Sequence, residues 1–296
     1  AHIASADDGP ADVDLGGGWV VPGFIDMHIH GGAGGDFMDA TQEAFATVAE
    51  YHGRHGTTSL LATTVTAPKE AIDRVLAAAA EYAAAASPRG ARVLGVHLEG
   101  PFISEKWPGA QNPAYIVPPN AAWMREWTQN YPNLIKQLTL APEKEGALDL
   151  IREAVRQGII AAAGHTDASY DDMLRAADAG LSQAVHTFNA MTPLHHRNPG
   201  TAGAVMTDPR IAAEVIADGV HVHPAVVGLL AKVKRENNFI LITDAISAAG
   251  LPDGDYSLGG LKVAVKDGVC RVAATGSLAG STLTMIGAFR FAVRKI

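Results

Sequence analysis

The stretch "GFIDMHIHGG" (residues 23–32) decides the fold, because an apolar, strand-like run ends there in two histidines one residue apart. A β-strand alternates its faces, so His28 and His30 point to one side while Ile29 points to the other. That arrangement presents two imidazole nitrogens to one point, as a metal site requires. Two polar residues facing solvent at a strand end would show the same pattern, so the rest of the chain must decide.

Apolar, β-prone runs recur along the whole chain, and helical patterns separate them. The runs cover residues 19–27, 58–65, 91–98, 134–140, 158–164, 181–188, 211–217 and 238–244, and the clearest helical patterns cover 42–55, 69–86, 147–157, 170–179 and 224–236. Continuous apolar strands between helices indicate a parallel sheet buried on both faces. Eight such units predict an α/β fold, a (β/α)8 TIM-type barrel. An open doubly wound sheet would need a phosphate-binding glycine fingerprint after the first strand, which "GGAGGD" (31–36) does not match.

Composition narrows the classes of function. The chain has 296 residues and a net charge of −8, from 31 acidic and 23 basic residues, which argues against a general nucleic-acid binder. The single cysteine, Cys270, excludes an internal disulfide and a cysteine zinc site. There is neither an apolar window of 18 residues nor a secretory signal pattern. These features predict a cytoplasmic protein without membrane or nucleic-acid partners.

Ligand-type side chains cluster where the predicted strands end, which is where barrels place their chemistry. They are His28 and His30 after the first strand, Glu99 after the third, His165 after the fifth, His186 and Asn189 after the sixth, Asp218, His221 and His223 after the seventh, and Asp244 after the eighth. Imidazole and carboxylate ligands suit Zn²⁺, and also Fe²⁺, Co²⁺ or Mn²⁺. With Asp244 free to take a proton from water and return it to a leaving amine, the set predicts hydrolysis of an amide or similar bond.

At these residues the sequence resembles a known family. "PGFIDMHIHG", followed by His165, His186 and Asp244 at strands five, six and eight, resembles the amidohydrolase superfamily. Many members carry a carboxylated lysine after strand four, but here that strand ends "LTLAPE" (138–143), and its lysine, Lys136, comes early. "HLEGPF" (97–102) and "AVHTFNAMTPLHHRNPG" (184–200) instead resemble the N-acetylglucosamine-6-phosphate deacetylases, and the resemblance runs from about residue 20 to residue 285.

The resemblance implies hydrolysis of the acetamide of N-acetylglucosamine 6-phosphate to glucosamine 6-phosphate and acetate. It makes Glu99, His165 and His186 the main metal ligands and Asp244 a residue that contacts the metal and acts as the acid and base. A second ion would be held by His28 and His30 with Glu99 bridging, so that one or two divalent ions, zinc first, are the implied cofactors.

The resemblance also assigns substrate contacts. His221 would contact the substrate and stabilise the oxyanion, and Asn189 and the backbone of Ala190 would bind near the phosphate. His196 and Arg197, in "HHRNPG" (195–200), would reach the neighbouring subunit's site and so imply a homodimer, although such a loop is otherwise simply a solvated basic segment. Where the family usually carries a histidine, this chain has Gln111, which can hydrogen-bond a sugar or phosphate but carries no charge.

The predicted organisation has four parts. Residues 1–20 would belong to an incomplete small β-sandwich, 21–260 form the catalytic barrel, 261–275 a β-hairpin around Asp267 and Gly268, and 276–296 a helix returning to the barrel. The polar, irregular start and the uncapped last helix suggest a piece of a longer protein. Two alternatives stay open: another superfamily hydrolase acting on a cyclic amide or an N-acyl amino acid, and an inactive barrel that serves as a scaffold.

Overall fold

Eight parallel strands form one sheet in the computed structural model, which describes residues 20–85, 90–234 and 238–296. The strands are β1 (Phe24–Ile29), β2 (Thr57–Thr63), β3 (Arg92–Glu99), β4 (Ile135–Leu140), β5 (Ile160–Ala163), β6 (Gln183–Ala184), β7 (Ala212–Ile216) and β8 (Phe239–Ile242). Each strand pairs in parallel with the next along the chain. The predicted barrel is therefore confirmed, and its first strand lies further along the chain than the predicted run 19–27.

The barrel closes at the carboxyl ends of its first and last strands. Past the end of β8, the Asp244 amide donates to the carbonyl of His28 at 2.9 Å, and the His30 amide donates to the carbonyl of Ala245 at 2.9 Å. These hydrogen bonds bring the histidine pair of β1 next to Asp244, although more than 200 residues separate them in the chain.

Helices cover the outside of the barrel. They are α1 (Gln42–Arg54), α2 (Lys69–Ala84), α3 (Ala121–Asn130), α4 (Ala147–Arg156), α5 (Tyr170–Asp178), α6 (Gly200–Thr207), α7 (Pro224–Val233) and α8 (Met285–Lys295). Hydroxyl caps fix several starts, among them Thr41 for α1 and a Ser169–Asp172 capping box for α5. Within the described ranges, none of the helices combines the length and apolarity that crossing a membrane requires.

Two helices, α3 and α6, are missing from the sequence predictions. The sequence of α6, "GTAGAVMT", contains two glycines and two threonines, which disfavour helix in isolation. Its first six residues are nevertheless buried, so packing against the barrel supplies what local propensity does not.

A three-stranded antiparallel sheet lies beyond the barrel strands. It consists of β9 (Gly254–Leu258), β10 (Leu261–Lys266) and β11 (Val269–Val272). The last two strands correspond to the hairpin of residues 261–275, and β9 adds a third strand to it. The helix predicted over 276–296 begins only at Met285, where Thr284 caps its first turn, and the residues before it are not helical. Residues 1–19, assigned to the β-sandwich, lie outside the described residues.

Candidate functional site

Six side chains from five strands converge at the carboxyl end of the barrel, and we call them the mouth cluster. They are His28 within β1, His30 just after it, Glu99 at the end of β3, His165 after β5, His186 after β6, and Asp244 after β8. All six are buried. The structure thus brings together all six side chains that the family resemblance implies as metal contacts.

The carboxylate of Glu99 lies at the centre of this cluster. Its Oε1 is 3.3 Å from Nε2 of His28, 3.2 Å from Nε2 of His165 and 3.1 Å from Nε2 of His186. Its Oε2 is 3.3 Å from Nε2 of His30, whose Nε2 is also 3.2 Å from Oδ1 of Asp244. Four imidazole nitrogens therefore surround one carboxylate.

The other ring nitrogen of each histidine is held by the surrounding protein. Nδ1 of His30 lies 3.3 Å from the Thr63 carbonyl, Nδ1 of His165 lies 3.0 Å from the Trp107 carbonyl, and Nδ1 of His186 lies 3.2 Å from the Asn189 carbonyl. A carbonyl only accepts hydrogen bonds, so each of these Nδ1 atoms carries the hydrogen. In the neutral rings the Nε2 lone pairs then face the cluster, which is the tautomer that a metal ligand needs.

The cluster has the features of a site for a divalent cation. Nε2 of His28 is buried without a hydrogen-bond partner, and Nε2 of His165 and His186 are only 3.2 Å apart. Two groups, His28 with Glu99 and His186, and His28 with His30 and Asp244, each place their ligand atoms within 4.8 Å of one another. Buried nitrogen and oxygen donors facing a common point fit zinc or a similar ion.

Electrostatics in the cluster favour positive charge. Burial lowers the pKa of His30, but hydrogen bonds to Asp244 and Glu99 outweigh it and raise that pKa to about 9. Burial raises the pKa of Glu99, yet His28 and the other imidazoles hold it well below its usual range. The pKa of Asp244 is likewise lowered, because His28 and His30 outweigh its burial. A bound cation would balance the negative charge of Glu99 and Asp244 in place of the protons on the imidazoles.

Three residues of the cluster have left-handed backbone conformations. The φ angles are +48° at His165, +28° at His186 and +49° at Asp244, each two residues past the end of a strand. Such angles cost a residue other than glycine about 1–3 kcal/mol, and they persist where the surrounding structure enforces them, commonly at functional sites.

A cavity of about 430 Å³ opens above the mouth cluster. Its walls include five members of the cluster, namely His30, Glu99, His165, His186 and Asp244, together with Lys106, Trp107, Gln111, Asn189, Ala190 and His221. Four of the predicted substrate-binding residues, Gln111, Asn189, Ala190 and His221, thus line it. His196 and Arg197 do not, since they lie in an exposed segment after β6 where Nη1 of Arg197 is 2.6 Å from Nε2 of His196.

His221 is oriented by Asp218, which the sequence analysis placed at the end of the seventh strand without assigning it a partner. Nδ1 of His221 lies 2.7 Å from Oδ2 of Asp218, and the His221 amide donates to Oδ1 at 2.9 Å. Burial raises the pKa of Asp218, but His221 outweighs it and the net shift is downward. Nε2 is therefore the ring nitrogen that His221 can offer in the cavity. The spacing "DGVH" (218–221) was the available sequence signal.

Gln111 is engaged by protein groups on both sides of its amide. Its Nε2 donates to Oε2 of Glu99 at 2.6 Å, and its Oε1 accepts from the Thr66 amide at 2.6 Å. Gln111 thus contacts the central carboxylate directly.

The loop that carries Gln111 is also tied to the loop after β5, a contact that the sequence analysis missed. Nε1 of Trp107 donates to Oδ1 of Asp167 at 2.9 Å, and Nζ of Lys106 lies 2.6 Å from Oδ2 of the same carboxylate. The Trp107 carbonyl also accepts a hydrogen bond from His165. The contacts of Asp167 with Lys106 and Trp107 therefore connect the cavity wall to the mouth cluster.

The sequence model of the amidohydrolase family matches residues 19–295. This chain belongs to the amidohydrolase family. It is 44% identical over 278 residues to the N-acetylglucosamine-6-phosphate deacetylase of Bacillus subtilis (strain 168), covering 93% of this chain and 69% of that protein. It is 43% identical over 269 residues to the N-acetylgalactosamine-6-phosphate deacetylase of Escherichia coli O157:H7, covering 91% of this chain and 71% of that protein.

Comparison with a solved structure also shows similarity between this amidohydrolase and a phosphosugar deacetylase. A variant of N-acetyl-D-glucosamine-6-phosphate deacetylase from Mycobacterium smegmatis, in complex with N-acetyl-D-glucosamine-6-phosphate, superposes with a TM-score of 0.89 at 41% identity. The match covers 93% of this chain and 71% of that one. The predicted family is confirmed, and the chain is a hydrolase of that family.

Proposed function

We propose that this amidohydrolase cleaves the acetamide of N-acetylglucosamine 6-phosphate, giving glucosamine 6-phosphate and acetate. One observation carries the proposal: Asp244 faces the cavity beside four imidazoles and a carboxylate whose donor atoms point inward. The names of the Bacillus and Mycobacterium relatives support the choice of substrate. The volume of about 430 Å³ is within the range of small-molecule sites.

The ligands divide into two sets around the shared carboxylate. Glu99, His165 and His186 would hold the main cation, and His28 and His30, with Glu99 between the sets, would hold a second. Zn²⁺ is the first choice for these donors, with Fe²⁺, Co²⁺ and Mn²⁺ as alternatives. A bound cation of this kind supplies Lewis-acid polarisation and makes water more acidic.

Asp244 carries the proton through the reaction. Its carboxylate removes a proton from the attacking water as the new carbon–oxygen bond forms at the acetyl carbon. It then returns that proton to the sugar nitrogen as the carbon–nitrogen bond breaks and acetate leaves. The lowered pKa keeps the Asp244 carboxyl ionised and ready to act first as a base.

His221 stabilises the charge that develops on the carbonyl oxygen. Because Nδ1 donates to Asp218, Nε2 donates a hydrogen bond to the oxyanion when the ring is protonated, with Asp218 balancing its charge, and accepts one from a sugar hydroxyl when the ring is neutral. Gln111, through its hydrogen bond to Glu99, keeps the central carboxylate in place while it lines the substrate cavity.

The phosphate would be bound at the outer part of the cavity. Asn189 and the backbone of Ala190 line it from their own chain, whereas His196 and Arg197 lie outside it. We therefore assign His196 and Arg197 to the site of a second subunit in a homodimer. Arginine suits this role because its guanidinium binds phosphate with two parallel hydrogen bonds.

The test measures acetate release from three compounds side by side, after metal removal and with Zn²⁺ added back. They are N-acetylglucosamine 6-phosphate, N-acetylgalactosamine 6-phosphate, and N-acetylglucosamine without phosphate. We expect the fastest release from N-acetylglucosamine 6-phosphate. N-acetylgalactosamine 6-phosphate is included because one relative is named for it. Equal rates with and without phosphate would contradict the phosphate pocket, and no release from any of the three would contradict the proposed reaction.

A further inference from the structure

A second group of polar side chains, which the proposed mechanism does not use, fills the barrel directly beneath the mouth cluster. We call it the inner layer, and it consists of His97, Gln137, Thr139, Gln183 and Glu214. All five side chains are buried, and Glu214 is fully buried. A carboxylate is found in such a place only when other groups compensate for its desolvation.

The contacts of Glu214 supply that compensation. Its Oε1 accepts hydrogen bonds from Nε2 of Gln137 at 2.8 Å and from Nε2 of Gln183. Its Oε2 lies 3.1 Å from Nδ1 of His28. Gln183 also donates to Oε1 of Gln137 at 3.1 Å, so the orientation of the Gln137 amide is fixed as well. The two amides leave only Oε2 to face His28.

This arrangement sets the tautomer of His28. Because Oε2 of Glu214 is an acceptor, Nδ1 of His28 carries a hydrogen, and in the neutral ring Nε2 therefore keeps its lone pair. Nε2 is the buried atom without a hydrogen-bond partner, 3.3 Å from Glu99 and 3.7 Å from Asp244. In His30, His165 and His186 a backbone carbonyl has this role. Among the four imidazoles of the mouth cluster, His28 is the one held by a carboxylate.

We propose that Glu214 is a positioning residue that prepares His28 to bind the second cation, the one assigned to His28 and His30. The inference rests on the proposed function, since it concerns the cations of that same site. A carboxylate behind a ligating imidazole fixes the ring and strengthens it as a donor, and losing such a partner typically lowers metal affinity about 10–100-fold.

The substitution Glu214→Gln tests this role by reversing one hydrogen bond. Gln137 and Gln183 both donate to the same position, so the oxygen of the new amide must occupy it. The nitrogen of that amide then faces Nδ1 of His28 and donates to it. The hydrogen of His28 moves to Nε2, where it blocks the lone pair that a cation would use.

The experiment titrates metal-free protein with Co²⁺ and counts bound ions by calorimetry and elemental analysis. We expect two ions in the unsubstituted protein and one tight ion in Glu214→Gln, with the affinity for the second reduced about 10–100-fold. The matched control is Glu70→Gln, the same change on the exposed side of α2, which should still bind two. A single ion in the unsubstituted protein, or two equally tight ions in Glu214→Gln, would overturn the proposal.

A second measurement needs no folded variant at position 214. Nitrogen NMR of the metal-free protein, with His28 assigned by comparison with His28→Asn, identifies which ring nitrogen carries hydrogen. Hydrogen on Nδ1 is expected, and hydrogen on Nε2 alone would refute the role of Glu214. Acetate release is measured in parallel. If it fails while the ion count and tautomer come out as expected, the proposed reaction is wrong and the positioning role stands.

Discussion

The mouth cluster and the inner layer lie one above the other in the same barrel, but they shift the pKa of histidine in opposite directions. In the mouth cluster the pKa of His30 is raised to about 9, because carboxylates outweigh burial. In the inner layer burial holds the pKa of His97 well below its usual value. His97 has hydroxyl neighbours on both ring nitrogens, Thr139 Oγ1 at 2.7 Å and Thr63 Oγ1 at 3.4 Å, whereas Nε2 of His28 has no partner.

This difference distinguishes two roles of buried polar side chains. Side chains whose hydrogen bonds are satisfied by their neighbours stabilise and orient, whereas side chains with donor atoms left facing a common point bind something else. Changes in the mouth cluster should therefore act on turnover, and most changes in the inner layer should act on stability. Glu214 links the two groups, since its hydrogen bonds lie in the inner layer and its effect is on His28.

The largest effect is expected at Asp244. Asp244→Asn removes the base while keeping the shape, so turnover of N-acetylglucosamine 6-phosphate should fall about 10²–10⁴-fold. Steady-state kinetics with parallel metal analysis checks this. Asp149→Asn, on the exposed side of α4, is the matched control and should retain full activity. Undiminished turnover in Asp244→Asn would show that another group moves the proton.

A buried histidine outside both groups tests whether carboxylates, and not burial, raise the pKa in the mouth cluster. His52 donates from Nε2 to the Gly31 carbonyl at 3.0 Å, and burial lowers its pKa to about 4. The unfolded chain binds a proton near pH 6.5 but the folded chain does not. Stability is therefore undiminished above pH 6.5 and falls as the pH drops from 6.5 to 4, by about 3 kcal/mol at most.

Urea unfolding at several pH values measures this slope. His52→Gln keeps a donor of similar reach without a titrating ring, so its stability should depend less on pH over the same interval. Identical slopes in the two proteins would mean that the pKa of His52 is the same in the folded and the unfolded chain, and that burial does not control its charge.

A smaller effect is expected within the inner layer. Thr139→Val preserves the shape but removes the 2.7 Å hydrogen bond to Nε2 of His97. We expect a loss of about 1–3 kcal/mol in the free energy of unfolding, because a buried ring nitrogen loses its partner. Turnover and metal content should be unchanged. If Thr139→Val lowered turnover without lowering stability, the proposed distinction between the mouth cluster and the inner layer would be wrong.

The smallest effect is expected far from both groups, at Arg197. Arg197→Ala should raise KM for the phosphorylated sugar about tenfold, equivalent to about 1.4 kcal/mol, while kcat stays constant. The unphosphorylated sugar serves as the internal control and should show no change. A rise in KM for both sugars would contradict the proposed contact between Arg197 and the phosphate. A protein that is monomeric in solution would contradict the proposal that Arg197 reaches the site of a neighbouring subunit.

Sequence patterns were sufficient for the barrel and for the membership of the mouth cluster. Continuous apolar runs between amphipathic helices predict parallel strands, and the carboxyl ends of such strands meet at one rim. His28, Glu99 and Asp244 could therefore be grouped without coordinates. Glu214 was visible only as a single acid within the apolar run "IAAEVIA" (211–217), which indicates a buried charge but not its partner.

The sequence by itself determined the strands, their order and the residues at their ends, because these follow from local periodicity and spacing. Only the tertiary structure decided that Gln111 reaches Glu99, that Asp218 holds His221, and that Glu214 meets His28 across 186 positions of the chain. Such pairs form when the barrel closes. Closure fixes which inward-pointing side chains come within hydrogen-bond distance, and this long-range geometry is not encoded in any single stretch of sequence.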